Sequence, residues 1–256
     1  MKDMERICEL LFELSSIERI RILLQIQKQR QKLSSISKSL DMTVAESYRH
    51  LQRLSRKELV QKDVDGQYCL TTFGNLVLSQ LPNFGFLVKN KSYLMERDVS
   101  KIPYEFVNRI GELEEGGSRA DEILYNLRFA EEMMQKAQEY IWTLSDQILM
   151  SALPIIEKGI NERGIEFRSI LPEGIVPPRE YAVPRLDRTH SSLALLRYTK
   201  RVEAIIILTE KQSAFSLPDL QGRIDYRGLS GKGDPKFHEW VKDLYLYYWN
   251  NAKPRV

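Results

Sequence analysis

The sequence predicts an α+β / α/β protein of two unlike parts, an N-terminal helical domain closed by a β-hairpin and a C-terminal mixed-sheet α/β domain. Three observations predict it. Apolar residues recur at helical spacing through the first sixty positions, then give way to two short strand-like runs around Asp65-Gly66. From Ile123 onward, helical and strand-like runs alternate instead. The charge is also unevenly divided. The chain carries a net charge of +3, and residues 1–82 hold 13 Lys+Arg against 10 Asp+Glu, which accounts for all of it.

The 256 residues suffice for two medium domains. No run approaches the ~18 apolar residues that span a bilayer; the longest, Ala204 to Leu208, is far shorter. The start, MKDMERICELLFEL, interleaves acidic and basic residues with apolar ones and has no signal-peptide core. A cytoplasmic protein with no membrane partner is expected. Two cysteines, Cys8 and Cys69, give neither a disulfide framework nor a CxxC motif. Cys8 is expected to lie buried on the apolar face of the first helix, and Cys69 in a strand.

The first domain is expected over 1–82. A helix over Met4–Leu14 turns Ile7, Leu10, Leu11 and Leu14 to one face. Ser15 and Glu18 have capping-box spacing and open a second helix over Ile17–Gln29. A short helix over Ser35–Leu40 follows, then a turn at Asp41-Met42. Thr43 and Glu46 form a second capping box, opening a helix that runs to about Lys57. Ser47, Leu51 and Leu54 make its narrow inward stripe, while Arg49, Arg53 and Arg56 face away. Leu59–Lys62 and Gln67–Leu70 read as a hairpin about Asp65-Gly66, and Thr72 as the cap of a closing helix over Phe73–Leu81.

After the first helix, three helices, a hairpin and a closing helix follow the order of a winged helix-turn-helix domain. ISKSLDMTVAESYRHLQRLSRKELV and DGQYCLTTFG resemble that family over residues 5–81. One position departs from it. Glu58 stands where glycine usually ends the reading helix, and Glu adopts the left-handed conformation poorly. The resemblance implies double-stranded DNA as partner. The residues expected at the groove are Thr43, Ala45, Glu46, Tyr48, Arg49, Gln52 and Arg53, with Arg49 as the guanine-reading side chain. Arg53, Arg56, Lys38 and the wing residue Lys62 are candidates for phosphate. Glu46 has two readings, helix cap and base contact.

Residues 83–111 are expected to be connecting helices. Phe84 to Glu96 reads as one amphipathic helix, either packing between domains or forming a homodimer, and Ile102–Ile110 as a shorter helix opened by Ser100. Beyond lies the domain over 112–256. Helices are expected over Phe129–Glu139 and Ile148–Glu162, with Gly164 just past the second. Strands are expected over Tyr140–Leu144, Ile165–Leu171, Ser192–Tyr198, Glu203–Thr209 and Ile224–Leu229. Ser213–Leu217 reads as the partner of a hairpin, and Pro172–Pro184 as a loop. Asp234-Pro235 opens a long last helix to about Asn251.

AEEMMQKAQEYIWTLSDQI, IEFRSIL and FHEWVKDLYLYYWNNA resemble the C-terminal domain of archaeal winged-helix regulators of the methanogenesis-regulatory group, which is related to the phospholipase D fold. The resemblance covers roughly residues 100–252. It implies a transcription regulator whose second domain binds a small-molecule effector or dimerises. Polar residues at the expected strand ends, Ser145, Asp146, Arg188 and Arg197, are candidates for an effector pocket, with an ordinary surface role as the alternative.

Catalysis is not expected. Active phospholipase D sites need His and Lys two residues apart, and none of His50, His190 and His238 has Lys at that spacing. Nor does any Cys/His cluster, HExxH, Walker A, GxGxxG or GxSxG element occur, so neither cofactor nor metal is expected. The competing reading is an adaptor whose winged helix contacts protein rather than DNA.

Overall fold

The computed structural model describes residues 2–118, 123–175, 193–231 and 233–254. The chain divides into two compact units, Met1–Leu81 and Pro82–Val256.

In the first unit, α1 (Lys2–Leu14), α2 (Ile17–Lys28), α3 (Leu33–Leu40) and α4 (Val44–Arg56) precede the hairpin of β1 (Val60–Lys62) and β2 (Tyr68–Leu70), and α5 (Thr72–Leu78) closes it. This is the winged helix-turn-helix order. Ile22, Leu23 and Ile26 of α2 meet Ile36, Leu51, Leu54, Leu59 and Tyr68 in one core. The strands pair antiparallel, Val60 opposite Leu70 and Lys62 opposite Tyr68. Gln31 adds a bridge to Tyr68, exchanging backbone hydrogen bonds of 3.1 and 2.7 Å, so β2 is paired on both of its edges.

Several expectations shift. The cap of α5 is Thr71 rather than Thr72: its hydroxyl accepts from Gly74 N and so satisfies a first-turn donor. Cys8 is exposed, because α1 turns Leu10, Glu13 and Leu14 inward and leaves Met4, Ile7, Leu11 and Phe12 outside. α3 begins two residues early, at Leu33.

In the second unit, α6 (Leu81–Lys89) and α7 (Lys91–Leu94) replace the single helix expected over Phe84–Glu96. The break is at Asn90, a buried residue whose backbone N–H and side-chain Nδ2 both donate to the Phe86 carbonyl. α8 (Tyr104–Asn108) and a 3-10 turn over Ile110–Leu113 follow. Phe86, Tyr93, Phe106 and Leu113 from this stretch belong to the unit's main core. The segment read as a connection is therefore a packed part of the domain.

Eight strands form one mixed sheet in the order β10 (Lys253–Pro254), β6 (Ala194–Thr199), β5 (Glu166–Pro172), β4 (Tyr140–Leu144), β7 (Ile205–Thr209), β8 (Ser213–Ser216), β9 (Leu229–Ser230), β3 (Gly117–Ser118). β4, β5 and β6 run parallel, and the remaining pairs are antiparallel. Strand alternation gives the sheet two buried faces. Trp142, Leu144, Ile170, Ile206 and Leu208 meet the long α11 (Pro235–Asn251) through Trp240, Val241, Leu244 and Tyr245. Ile141, Phe167 and Ile207 meet α9 (Ile123–Lys136) and α10 (Leu153–Arg163) through Met133, Met134, Ile156 and Ile160.

α10 starts at Leu153 instead of Ile148. Pro154 lacks an N–H and is tolerated only in the first turn. The strand expected over Ile224–Leu229 shrinks to its last residue and Ser230. Tyr226 is left-handed (φ 57°), and the preceding Asp225 is held by Arg97 and Arg227. The expected loop at Pro172–Pro184 and the start of the strand at Ser192 fall largely outside the described residues.

Candidate nucleic-acid interface

α4 is built to be rigid at both ends. At its start, the Thr43 hydroxyl accepts from Glu46 N at 3.2 Å, and the Glu46 carboxylate accepts from Thr43 N at 3.1 Å and from the Thr43 hydroxyl at 2.8 Å. These bonds hold the Glu46 carboxyl below its ordinary range, the Thr43 hydroxyl contributing most. At its end, Leu59 N donates to Leu54 O and Glu58 N to Ser55 O, the two bonds of a Schellman motif. Glu58 occupies the position that favours glycine and has φ 58°. The Thr71 hydroxyl donates to the Glu58 carbonyl and secures the turn.

Between these ends, Ser47, Leu51 and Leu54 are buried, as the stripe requires. Val44, Ala45, Tyr48, Arg49, Arg53 and Arg56 are exposed, and Gln52 is half-buried. Val44 was not among the residues picked out from the sequence. It sits on the buried stripe by spacing, yet one turn before Ser47 the core has ended, so the pattern holds no signal of its exposure. Lys38 on α3 is exposed, and so is Lys62 on the wing, whose ammonium lies 5.8 Å from the Tyr68 ring centre.

Arg53 departs from expectation. Its guanidinium turns back to α1, where Nε and Nη2 donate to the Glu13 carboxylate and the plane lies over Phe12. Lys57 reaches Glu9 of the same helix. Two of the Arg53 donors are thereby used in holding α4 on α1, while the side chain stays 43% exposed. Glu9 and Glu13 are thirty or more residues away in sequence, and no local motif pairs them with α4.

The second-unit candidates separate. Ser145 follows β4 and lines a cavity between the sheet and α9/α10. Asp146 beside it accepts a hydrogen bond from the Tyr226 hydroxyl, and that phenol is pushed up by burial and by the carboxylate. Arg197 is on the other side of the sheet. Its neighbour Leu196 lines the cavity, so alternation sends Arg197 to the α11 face, where Nη1 donates to the Trp249 carbonyl and the guanidinium stacks 4.5 Å from that indole. Arg188 and His190 lie outside the described residues. Among the described residues no group of three His, Cys, Asp or Glu side chains is placed to hold a metal ion, and no helix is long and apolar enough to cross a membrane. His50 sits half-buried on α4, and His238 Nε2 lies 3.2 Å from the Tyr140 hydroxyl.

The fold class is a helical unit closed by a β-hairpin, followed by a mixed-sheet α/β unit. Residues 9–90 match the family model described as the HVO_A0261 N-terminal domain. Among solved structures, the chain is similar to TrmBL2, an archaeal chromatin protein whose structure shows a novel mode of DNA binding. The identity is 16%, the match covers 94% of each chain, and the TM-score is 0.45. Half of the chain is similar to Nuc of Salmonella typhimurium, a phospholipase D family member, at 11% identity over 90% of that chain (TM-score 0.39). NucT of Helicobacter pylori matches 55% of this chain and 97% of its own at 11% identity (TM-score 0.41). No curated protein matches.

Proposed function

We propose that this protein is a sequence-specific, double-stranded-DNA-binding transcriptional regulator whose α4 enters the major groove. The observation that supports this reading is the exposed first half of α4, held by a capping box and carrying Val44, Ala45, Tyr48 and Arg49. An α-helix fits the major groove and reads base edges from its N-terminal residues. Arg49 has the length and forked donors to bind guanine O6 and N7 together. Val44 and Ala45 offer apolar contact to a thymine methyl. Lys38, Arg56 and Lys62 are exposed cations for phosphate, and the net positive charge of the chain resides in this unit. Glu46 serves as the cap, with base contact subordinate to it.

A single winged helix reads a short site, so specificity in a genome favours a homodimer on paired half-sites. α1 supplies a surface for this, since Met4, Ile7 and Leu11 recur at i, i+3 and i+7 and stay exposed. The second unit serves as a sensing or assembly domain. The protein is a regulator rather than an enzyme, because His50, His190 and His238 lack the spacing that phosphodiester chemistry of the phospholipase D type requires.

Selection of binding sequences from a random duplex pool, followed by anisotropy titration, tests the reading. A cognate site bound ~10³-fold or more above random duplex is expected. Absence of duplex binding would sink it and favour the adaptor reading, and equal affinity for all duplexes would sink the sequence specificity.

A further inference from the structure

We propose that the second unit binds a small, uncharged, largely apolar molecule carrying one hydrogen-bond acceptor, in the cavity between the sheet and α9/α10. This deepens the reading of that unit as a sensing domain. The binding itself does not depend on α4 contacting DNA.

The cavity has a volume of about 130 Å³. An apolar cavity of ~150 Å³ stays dry and admits one benzene ring. The cavity is partly open to solvent, so a ligand can reach it from outside. Its walls are Leu127 and Met134 of α9, Ile156 of α10, Phe167 of β5 and Ile207 of β7. Among the described residues no Lys, Arg, Asp or Glu lines it, so a charged ligand would enter without a counter-charge there and lose its hydration.

Two hydroxyls interrupt this apolar wall. Strand alternation points Thr143 of β4 and Ser169 of β5 into the cavity from neighbouring parallel strands, where Ile141 and Phe167 mark the same face. Their oxygens lie 2.9 Å apart. Two hydroxyls bring two protons, and the bond between them uses one. Whichever residue donates, the second proton has no acceptor among the described residues. Ser169 is only 5% exposed, so few water positions are open to it. A buried donor without a partner is costly, and a ligand carbonyl or phenol oxygen would satisfy it. Ser145, Gln147 and Tyr226 give the cavity a polar edge, with the Tyr226 hydroxyl held by Asp146 and Gln147. A second cavity of about 70 Å³ shares Leu127, Ala130 and Tyr226, so space for a somewhat longer molecule adjoins the first.

The test is calorimetric titration of the full chain, without DNA, using probes of one size. Acetophenone supplies a neutral ring and an acceptor, toluene the ring alone, and benzoate and benzylammonium the ring with a charge. Acetophenone is expected to bind saturably, toluene about tenfold more weakly, and both charged probes at least about a hundredfold more weakly. Thr143→Val combined with Ser169→Ala, which removes both hydroxyl donors, should lower acetophenone to the toluene level and leave toluene unchanged. Ala130→Phe, which fills the cavity, should abolish binding of both neutral probes. The proposal is overturned if neither neutral probe binds, if benzoate binds as tightly as acetophenone, or if the filled variant binds like the parent. A failed DNA titration with successful probe binding would remove only the regulatory reading.

Discussion

Arg53 donates through Nε and Nη2 to the two carboxylate oxygens of Glu13, at 3.0 and 2.8 Å, and so fastens the exposed face of α4 to the first helix of the chain. Glu13 is also 3.1 Å from Arg19 Nε, and both of those side chains are more than nine-tenths buried. Arg19 keeps two further acceptors, the carbonyls of Glu13 and Phe12. One carboxylate therefore serves two cations from two different helices.

Replacing Glu13 with Gln should destabilise the first unit by about 3 kcal/mol, at the low end for breaking a buried pair, because Arg19 retains its carbonyl partners. Urea unfolding of parent and variant measures it. The effect carries a pH signature. Arg53 first, then Arg19, holds the Glu13 carboxyl below its ordinary value of 4.5 against the opposing effect of burial. A depressed folded-state pKa gives stability that is fully present above the unfolded value and is lost as pH falls through the folded one. The difference between parent and Glu13→Gln should thus be constant near neutrality and shrink below about pH 4.5.

Arg49 and Arg53 should part company in DNA binding. Arg49→Ala is expected to cost ~1–3 kcal/mol on the cognate site and to relax discrimination at one base pair. Lys62→Ala should weaken all sequences alike and reduce the slope of log K against log salt by ~1. Arg53→Ala should leave that slope unchanged while lowering the unfolding midpoint. A slope reduced as much by Arg53→Ala as by Lys62→Ala would restore Arg53 to the phosphate contacts.

Glu58→Gly should stabilise the protein. A left-handed residue with a Cβ costs roughly 1–2 kcal/mol, and a carboxylate at a helix C-terminus opposes the helix dipole. Glycine's greater freedom in the unfolded chain offsets part of this, leaving a gain of about 0.5–1 kcal/mol. Thermal unfolding monitored by circular dichroism reads the change, and a lowered midpoint would refute the strain.

Association should run through α1. Sedimentation of the parent at micromolar concentration is expected to give a dimer, and the Ile7→Glu, Leu11→Glu pair a monomer with unchanged circular dichroism. A dimer that survives both substitutions would move the interface elsewhere.

Much of this architecture was legible because its signals are local. The Thr43/Glu46 capping box, the Asp65-Gly66 turn, the stripe of Ser47, Leu51 and Leu54, and Asp234-Pro235 at the head of α11 each state a local preference that the tertiary structure obeys. The odd residue at position 58 was legible for the same reason, since a helix end of this kind takes a left-handed residue, a conformation that favours glycine. What the sequence concealed depends on distant partners. Arg53 reads as one more exposed cation until Glu13 is brought beside it. Arg197 reads as a strand-end residue until the register of β6 assigns it to the α11 face. The strand expected at Ile224–Leu229 is dissolved by a pair across the fold, Arg97 and Asp225, whose side chains meet at 2.7 Å. Thr143 and Ser169 look like ordinary strand polars until parallel pairing sets them side by side.

The paired ends of α4 have one more consequence. A helix fixed at Thr43 and at Glu58 can neither fray nor slide, so every side chain along it has a fixed angular phase, about 100° per residue, measured from a known origin. Such an element meets a ligand as a gauge of set length. Little ordering of α4 itself would accompany binding, so discrimination would come from whether the duplex can match its spacing. Sequences that differ only in how readily the groove widens would then be told apart, even where no side chain touches a base.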